Sequence, residues 1–380
     1  MTPDQLGRLT ALRHGFHSAP ELSGAERQTA ARVVDILGSY APDEILTGLG
    51  GHGVAAVFQG QEPGPTLAIR CELDALPIPE QTDLSYASQV PGTAHLCGHD
   101  GHMVMVLAVA EALSERRPQS GRVVLMFQPA EETGEGAIAY RADPKFAAIA
   151  PDMILSLHNL PGLALGAVSL PRAAANCASR GARIRLQGRT SHAAAPQDGV
   201  SPAPSLAVLM QDLAALGTGG DLDEEYALTT VTHAKLGEPT FGVAPGVAEL
   251  WVTLRTVTDD RMQALTDTLL SRVAACATKH GLAHQITYHD VFEACTNAPE
   301  AVAVIEAACR AGDVPVTLCD HPQAFSEDFG QFAHSAKSAM FWLGAGEDHP
   351  QLHNPDYDFP DALIPIGSGI FLRSIYSVLG

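Results

Sequence analysis

The sequence predicts an α/β protein: a larger domain with a central mixed sheet flanked by helices, interrupted by an inserted βαββαβ domain. Three observations lead there. The chain has 380 residues, more than one hydrophobic core of ordinary size accommodates, so two domains are expected. Through residue 178, apolar runs of strand length alternate with helical stretches, and polar residues gather where the strands stop. From residue 179 the pattern changes to strands with two helices, and from about residue 291 the pattern of the first region returns. The larger domain is therefore expected at 1–178 and 291–380, and the insert at 179–290.

The elements follow in order. "GAERQTAARVVDILGSY" has helical apolar spacing, and "GHGVAAVFQG" and "PTLAIRCELDALP" read as strands. "GHDGHMVMVLAVAEALSER" is apolar nearly all round from Met103 to Leu113, as a buried helix starting near Asp100 or Gly101 would be. "GRVVLMFQPAEE" is a continuous apolar run halted by Pro129, a buried strand that delivers two glutamates at its end. "DMILSLHNLPG" repeats that logic and ends on His158. In the insert, "ARIRLQGRTSHAAAP", "EYALTTVTHAKLGEP", "VAELWVTLRTV" and "HQITYHD" read as strands, with helices from Pro202 to Leu216 and from Asp260 to Lys279. Beyond it, "AMFWLG" reads as a buried strand, "HNPDYDFP" as a loop and "ALIPIGSGIFLRSIYSVL" as a closing helix. Such a sheet carries its site along one edge.

Composition narrows the partners. Hydrophobic residues make up 46% and charged residues 17%, enough apolar side chains for globular cores. A formal charge of −20 and a pI of about 5.1 argue against nucleic acid or an anionic membrane as partner, leaving a small molecule as the expected ligand. The first residues show no basic and then apolar leader, and no run reaches the roughly 18 consecutive apolar residues of a membrane span. Seven scattered cysteines without CxxC spacing give no disulfide framework. A cytoplasmic location is the expectation.

The densest chemistry is "HLCGHDGHM", residues 95–103. Cys97 and His99 are two apart in a glycine-containing loop before a helix. A thiolate and an imidazole there suit a borderline-soft divalent metal, and the helix N-terminus favours ionised sulfur. One loop cannot complete a site, and the chain lacks the second CxxC or HxxxH pair of a zinc finger. His95 and His102 read as packed neighbours or supports, and Asp100 as a helix cap or a group serving the site. Distant donors sit at strand ends: Glu131 and Glu132 in "FQPAEETGEGA", His158, and His353 in "PQLHNP". If extended geometry persists, the adjacent glutamates point to opposite sides, so one can bind metal while the other takes a proton from water. With Cys97, His99 and one glutamate this makes five donors on four segments, more than one ion needs, so a two-metal site sharing Cys97 is plausible on these residues. A hydrolase with Cys97 as nucleophile and a histidine as base is the alternative, and it would survive chelation. Arg255 in "VTLRTV" either faces solvent on the insert or recognises a substrate carboxylate. Glu327 and Asp328 in "SEDFG" read as packing or supporting groups.

Taken in order, "LDALPI", "HLCGHDGHM", "QPAEETGEGA", "LHNLPG", "GRTSHAAAPQDGVSP", "SEDFG" and "LGAGEDHPQLHNPDYDFP" resemble the M20 metallopeptidase family. Within it the similarity is to the amidohydrolase branch of N-acyl amino acid amidohydrolases, hippurate hydrolases and indole-3-acetyl amino acid hydrolases. "LRHGFHSAPELSG" resembles that branch too, so the similarity runs from near residue 10 to near 375. The resemblance implies an α/β catalytic domain with an inserted lid, often a homodimer through that lid, that hydrolyses an N-acyl amino acid to a carboxylic acid and a free amino acid. It implies two divalent ions per subunit, Zn or Mn foremost with Co or Ni tolerated, on Cys97, His99, Glu132, His158 and His353. Glu131 would be the general base, His192 of the lid a transition-state stabiliser, and Asp74 a support for the ligands. A dipeptidase or carboxypeptidase of the same fold, or an inactive metal-binding relative, would share these motifs. Two departures stand out. "ELDALP" replaces the usual "DMDALP", so Glu72 adds a methylene. "GVAPGV" (Gly242 to Val247) replaces "NVIPDE", so Gly242 stands for an asparagine and Gly246 for an acid, which alters how substrate is held and points to a different or bulkier one.

Overall fold

The apolar runs of the first region become the middle of an eight-stranded mixed sheet. In this computed structural model, which describes all 380 residues, the strand order is Glu44–Leu49, Gly53–Gln59, Ser120–Gln128, Glu62–Glu72, Met153–Pro161, Lys337–Gly346, Val168–Pro171, Val316–Cys319. The four strands from Ser120–Gln128 to Lys337–Gly346 are mutually parallel. The pairings at the Glu44 end, and that of Lys337–Gly346 with Val168–Pro171, are antiparallel. Parallel strands place their C-terminal ends on one edge, so Glu72, Gln128 and the His158–Pro161 segment finish side by side. Residues 67–69 and 123–127 are buried on both faces, which is why these strands read as apolar runs rather than as alternation. The Met153–Pro161 strand continues past His158, where the sequence suggests a stop.

Helix His99–Glu115 lies in the same core, with Met103 to Ala110 all buried; it begins at His99, one residue before Asp100, with Gly98 at its N-cap position. Helix Ile364–Leu379 packs against it. The span Asp361–Leu379 is long and apolar enough to cross a membrane by length and composition, with a mean hydropathy of 1.5 over its most apolar window. Ile370, Phe371, Ile375 and Leu379 are nevertheless buried in the protein core, as in a packed helix of a globular domain.

The chain divides into two units, Met1–Ala175 with Cys295–Asp320 and Glu327–Gly380, and Asn176–Ala294 with His321–Ser326. The sequence reading assigns 321–326 to the larger domain. It belongs with the second unit because Gln323 bridges to Asn176 and Ala324 accepts a hydrogen bond from Arg255. The second unit has an antiparallel sheet in the order Ala227–Leu236, Val247–Thr256, Ala178–Gln187, Ala283–Phe292. Helices Ala203–Ala214 and Asp259–Lys279 complete a βαββαβ chain order. Ala182, Ile184 and Leu186 face the helices while Arg183, Arg185 and Gln187 are exposed, the alternation of a half-buried strand. A short ribbon pairs Ser191–His192 with Val243–Ala244.

A buried ionic knot ties the first helix, Pro3–His17, to the larger unit. Arg13 donates to Asp100 at 3.0 Å, Asp358 at 2.9 Å and Asp361 at 2.6 Å. His17 Nδ1 lies 2.9 Å from Asp100, and its Nε2 lies 3.4 Å from Glu80. Burial alone would lower the affinity of His17 for a proton, but Asp100 and Glu80 raise its pKa to about 10. An unfolded histidine titrates near about 6.5, so this stabilisation is full below that pH and is lost as pH rises toward about 10. The melting temperature is expected to fall between about pH 7 and pH 10, and to fall less steeply in His17→Gln. Equal slopes in calorimetry would show that the pair contributes nothing.

Candidate metal centre

The chain delivers its donors by local backbone departures. Pro129 ends the strand ladder because it has no N–H, and Ala130 adopts a left-handed φ of 54°. That conformation costs an alanine roughly 1 kcal/mol, and the Glu26 carboxylate holds it by accepting the Ala130 N–H at 2.8 Å. Residues 131–134 then form a turn closed by Gly134 N–H donating to the Glu131 carbonyl at 2.8 Å. Extended geometry therefore does not persist, and a turn, not strand alternation, separates Glu131 from Glu132. Between Cys97 and His99, Gly98 has a φ of 93°, and a Cβ there would sit 2.1 Å from Asn159 Oδ1. Only glycine lets both neighbours face the same space. His353 is also left-handed, with φ 66°, and its N–H donates to Leu96 O at 2.8 Å, fastening the C-terminal loop to the Cys97 loop.

These departures bring the five predicted donors together, with Glu131 beside them. Cys97 Sγ lies 3.3 Å from His158 Nε2, His353 Nε2 lies 3.5 Å from Glu132, and His99 Nε2 lies 4.0 Å from Glu132 and 3.9 Å from Glu131. Cys97, His99 and His158 form one cluster of donor atoms, and Cys97, Glu132 and His353 another, with Cys97 common to both. The far nitrogens of two imidazoles are already engaged. His99 Nδ1 is 2.9 Å from the Asp74 carbonyl, and His158 Nδ1 is 2.8 Å from the Asn159 carbonyl, so each ring donates from Nδ1 and points its Nε2 toward the cluster. Asp74 also accepts the Glu132 N–H at 3.0 Å and the Ser23 hydroxyl at 2.7 Å, placing it beneath the donors.

The cluster is short of positive charge. His99 Nε2 and Glu132 Oε1 are buried without a hydrogen-bond partner. Burial and the neighbouring Glu327, Glu132 and Asp328 push the Glu131 carboxyl well above its usual range, and burial raises Glu132 to about 7. Burial, with Glu132 and Glu131 nearby, also raises the Cys97 thiol. His99 moves the other way: burial opposes its charge, but Asp74 and Glu72 raise it to about 10. Thiolate, imidazole and carboxylate donors with free, inward-facing atoms fit divalent cations of the Zn or Mn kind.

Beneath lies a group that sequence reading missed. Arg70, fully buried, contacts Glu72 and donates to Gln128 at 2.9 Å, Glu327 at 2.9 Å and Asp328 at 2.7 Å. Asp328 in turn accepts from Gln128 and from the Ala137 N–H. The signal was present: an arginine inside the apolar run "LAIRCEL" must find acids within the core. Glu72 also meets His102 Nδ1 at 2.7 Å, while His102 Nε2 meets Asn159 Oδ1 at 2.7 Å and Asn159 donates to the Tyr357 hydroxyl at 2.6 Å. His102 is thus engaged on both nitrogens. Asp100 is spent on Arg13 and His17, apart from the donor cluster. His192 and Arg255 belong to the second unit, His192 exposed on the ribbon and Arg255 donating to Ala324 O at 3.0 Å and Ser326 Oγ at 3.1 Å.

Metal-fitting donors at the C-terminal edge of a mixed α/β sheet, with a further carboxylate beside them, are the equipment of a metal-dependent hydrolase. Residues 68–377 match Peptidase family M20/M25/M40, and the chain belongs to that family. It is 27% identical over 374 residues to an N-acetylcysteine deacetylase of Bacillus subtilis, covering 98% of this chain and 97% of that protein. It is 28% identical over 373 residues to a hippurate hydrolase of Campylobacter jejuni, covering 97% and 96%. The crystal structure of a dinuclear metal binding peptidase from the M20 family of Bacillus subtilis superposes with a TM-score of 0.84 at 25% identity, covering 100% of this chain and 99% of that one.

Arg70→Met is expected to destabilise the protein by about 3–5 kcal/mol, because it leaves Glu72, Glu327 and Asp328 buried without their shared counter-charge. Denaturant unfolding checks this, and a loss below about 1 kcal/mol would contradict it.

Proposed function

We propose that this protein hydrolyses the amide bond of an N-acyl amino acid, releasing a carboxylic acid and a free amino acid. The observation that carries the reading is the convergence of five donors from four segments with His99 Nε2 and Glu132 Oε1 unpartnered among them. Cys97, His99, Glu132, His158 and His353 would hold two divalent ions, Zn or Mn, with Cys97 shared. Bound there, the ions supply Lewis acidity toward a water and toward the amide carbonyl. Glu131 stands beside the donor set, takes the proton from the attacking water and returns it to the leaving nitrogen. Asp74 orients His99, and Asp100 fixes the helix from which His99 projects.

His192 suits a carbonyl oxygen. Its Nδ1 accepts the Ala194 N–H at 3.0 Å, so the neutral ring carries its proton on Nε2 as a donor for developing negative charge. We read the second unit as the lid that carries His192 to the substrate and as the dimerisation domain. Support for the second role comes from the edge strand Ala227–Leu236, exposed from Thr232 to Leu236, and from Val208 and Met210, exposed on helix Ala203–Ala214. Arg255 keeps further guanidinium donors for a substrate carboxylate. Seven free cysteines support a cytoplasmic setting.

Two substitutions separate these roles. Glu131→Gln is expected to lower kcat by at least about 100-fold while bound metal, measured by elemental analysis, stays at the wild-type level. Retained turnover would remove Glu131 from the chemistry. His192→Ala is expected to lower kcat by about 100-fold with KM little changed and metal retained, and an unchanged kcat/KM would exclude its role.

A further inference from the structure

We propose that Glu26 is a positioning residue for the reaction: by gripping Ala130 it aims Glu132 as a metal ligand and Glu131 as a base. This rests on the two-ion reading above and names the group, 104 positions before Ala130, on which both glutamates depend. Glu26 occupies the N-cap position of helix Arg27–Ser39, where a side-chain oxygen ordinarily accepts from the first turn of its own helix. It makes no such bond. The cap is supplied by Glu21, whose carboxylate accepts the N–H groups of Gln28 at 2.8 Å and Thr29 at 2.7 Å. Glu26 is instead buried, and its Oε1 alone accepts Gly24 N–H at 2.7 Å and Ala130 N–H at 2.8 Å, while Oε2 has no partner. Burial, with Asp74 nearby, pushes its carboxyl above the usual range, so the chain tolerates an unfavourable acid to keep this grip.

What the bond holds decides its role. Ala130 is left-handed, with φ 54°, a state that alanine leaves for right-handed or extended backbone when nothing holds it. It is the last residue before the two glutamates, so a change in its dihedrals swings Glu131 and Glu132 together. Other bonds near Ala130 come from its own segment: its carbonyl accepts Gly136 N–H at 3.0 Å and the Thr133 hydroxyl at 3.2 Å, and Gly134 N–H closes onto Glu131 O. These travel with the turn. Glu26 at Ala130, and Asp74 at the Glu132 N–H, tie it to the rest of the unit. Cys97, His99 and His158 form their donor cluster without the turn, whereas Glu132 joins Cys97 and His353 only through it. Losing the grip therefore harms the second of these clusters and spares the first.

The test is titration of chelator-treated protein with Co(II), read by visible absorption and elemental analysis, with kcat for N-acetylglycine and N-benzoylglycine measured alongside. Glu26→Ala is expected to bind the first ion as the wild type does, to bind the second at least about 10-fold more weakly, and to lose kcat. Glu26→Gln keeps the oxygen on which both bonds fall, and is expected to retain both ions and the wild-type spectrum. Adding Ala130→Gly to Glu26→Ala is expected to recover part of the lost affinity, since glycine adopts the left-handed state unaided. Glu21→Ala, which uncaps the same helix, is expected to lower the melting temperature and leave the second ion in place. Should Glu26→Ala not fold, Glu26→Asp, one methylene short of the turn, is expected to show the same selective loss.

Second-ion affinity in Glu26→Ala equal to that of the wild type overturns the proposal. So does an equal loss in Glu26→Gln or Glu21→Ala, which would trace the effect to charge or to general stability. A wild type that binds two ions but hydrolyses neither compound removes the amidohydrolase reading alone, and the ion count still judges Glu26. A wild type that binds no ion overturns both.

Discussion

The constraint on which the rest of this structure depends is buried negative charge. Glu72, Asp74, Glu131, Glu327 and Asp328 are all nearly inaccessible to water in the larger unit, with Glu132 and Cys97 beside them. Arg70 answers part of that charge through Glu72, Glu327 and Asp328, and His102 shares Glu72. The other part, at Glu131, Glu132 and Cys97, has no guanidinium and faces only the imidazoles of His99, His158 and His353, and its groups hold their protons more tightly than in water. A chain does not bury acids this way without a cation to compensate. Cations would displace those protons and turn an unfavourable cluster into a ligand set. The left-handed Ala130 and His353, and Gly98 against Asn159, serve the same geometry, each aiming a donor that regular structure would misdirect.

The two units divide the work by their physics. The larger one is rigid where it must be: four parallel strands, buried on both faces, end at one edge and fix the donors through backbone and hydrogen bonds. The second is an open sheet with one wet face, and it carries His192 on a short, exposed, apolar ribbon. The buried polar network and its tight positioning therefore sit in the larger unit.

Much of this was legible from residues alone, for a definite reason. Strands buried on both faces leave continuous apolar runs, so "VVLMFQ" and "MILSLH" announced the sheet, and the polar residues that stop them announced the site. The alternation of "ARIRLQ" gave away the half-buried sheet of the insert. What was not legible depends on contacts far apart in the chain. The turn at 131–134 follows from Pro129 and the grip of Glu26, which sequence spacing does not connect. The allegiance of 321–326 to the second unit depends on Arg255 and Asn176. Asp100 could be read as a cap, but its pairing with Arg13 and His17 joins residues more than 80 positions apart.

Metal stoichiometry tests the buried cluster most directly. Calorimetric titration of chelator-treated protein with Zn or Mn is expected to give two ions per chain, with protons released on binding, and fewer than two in Cys97→Ser, as the proposed sharing of that thiolate requires. Binding of no ion, or wild-type stoichiometry in Cys97→Ser, would contradict the claim that this buried cluster is built around two cations.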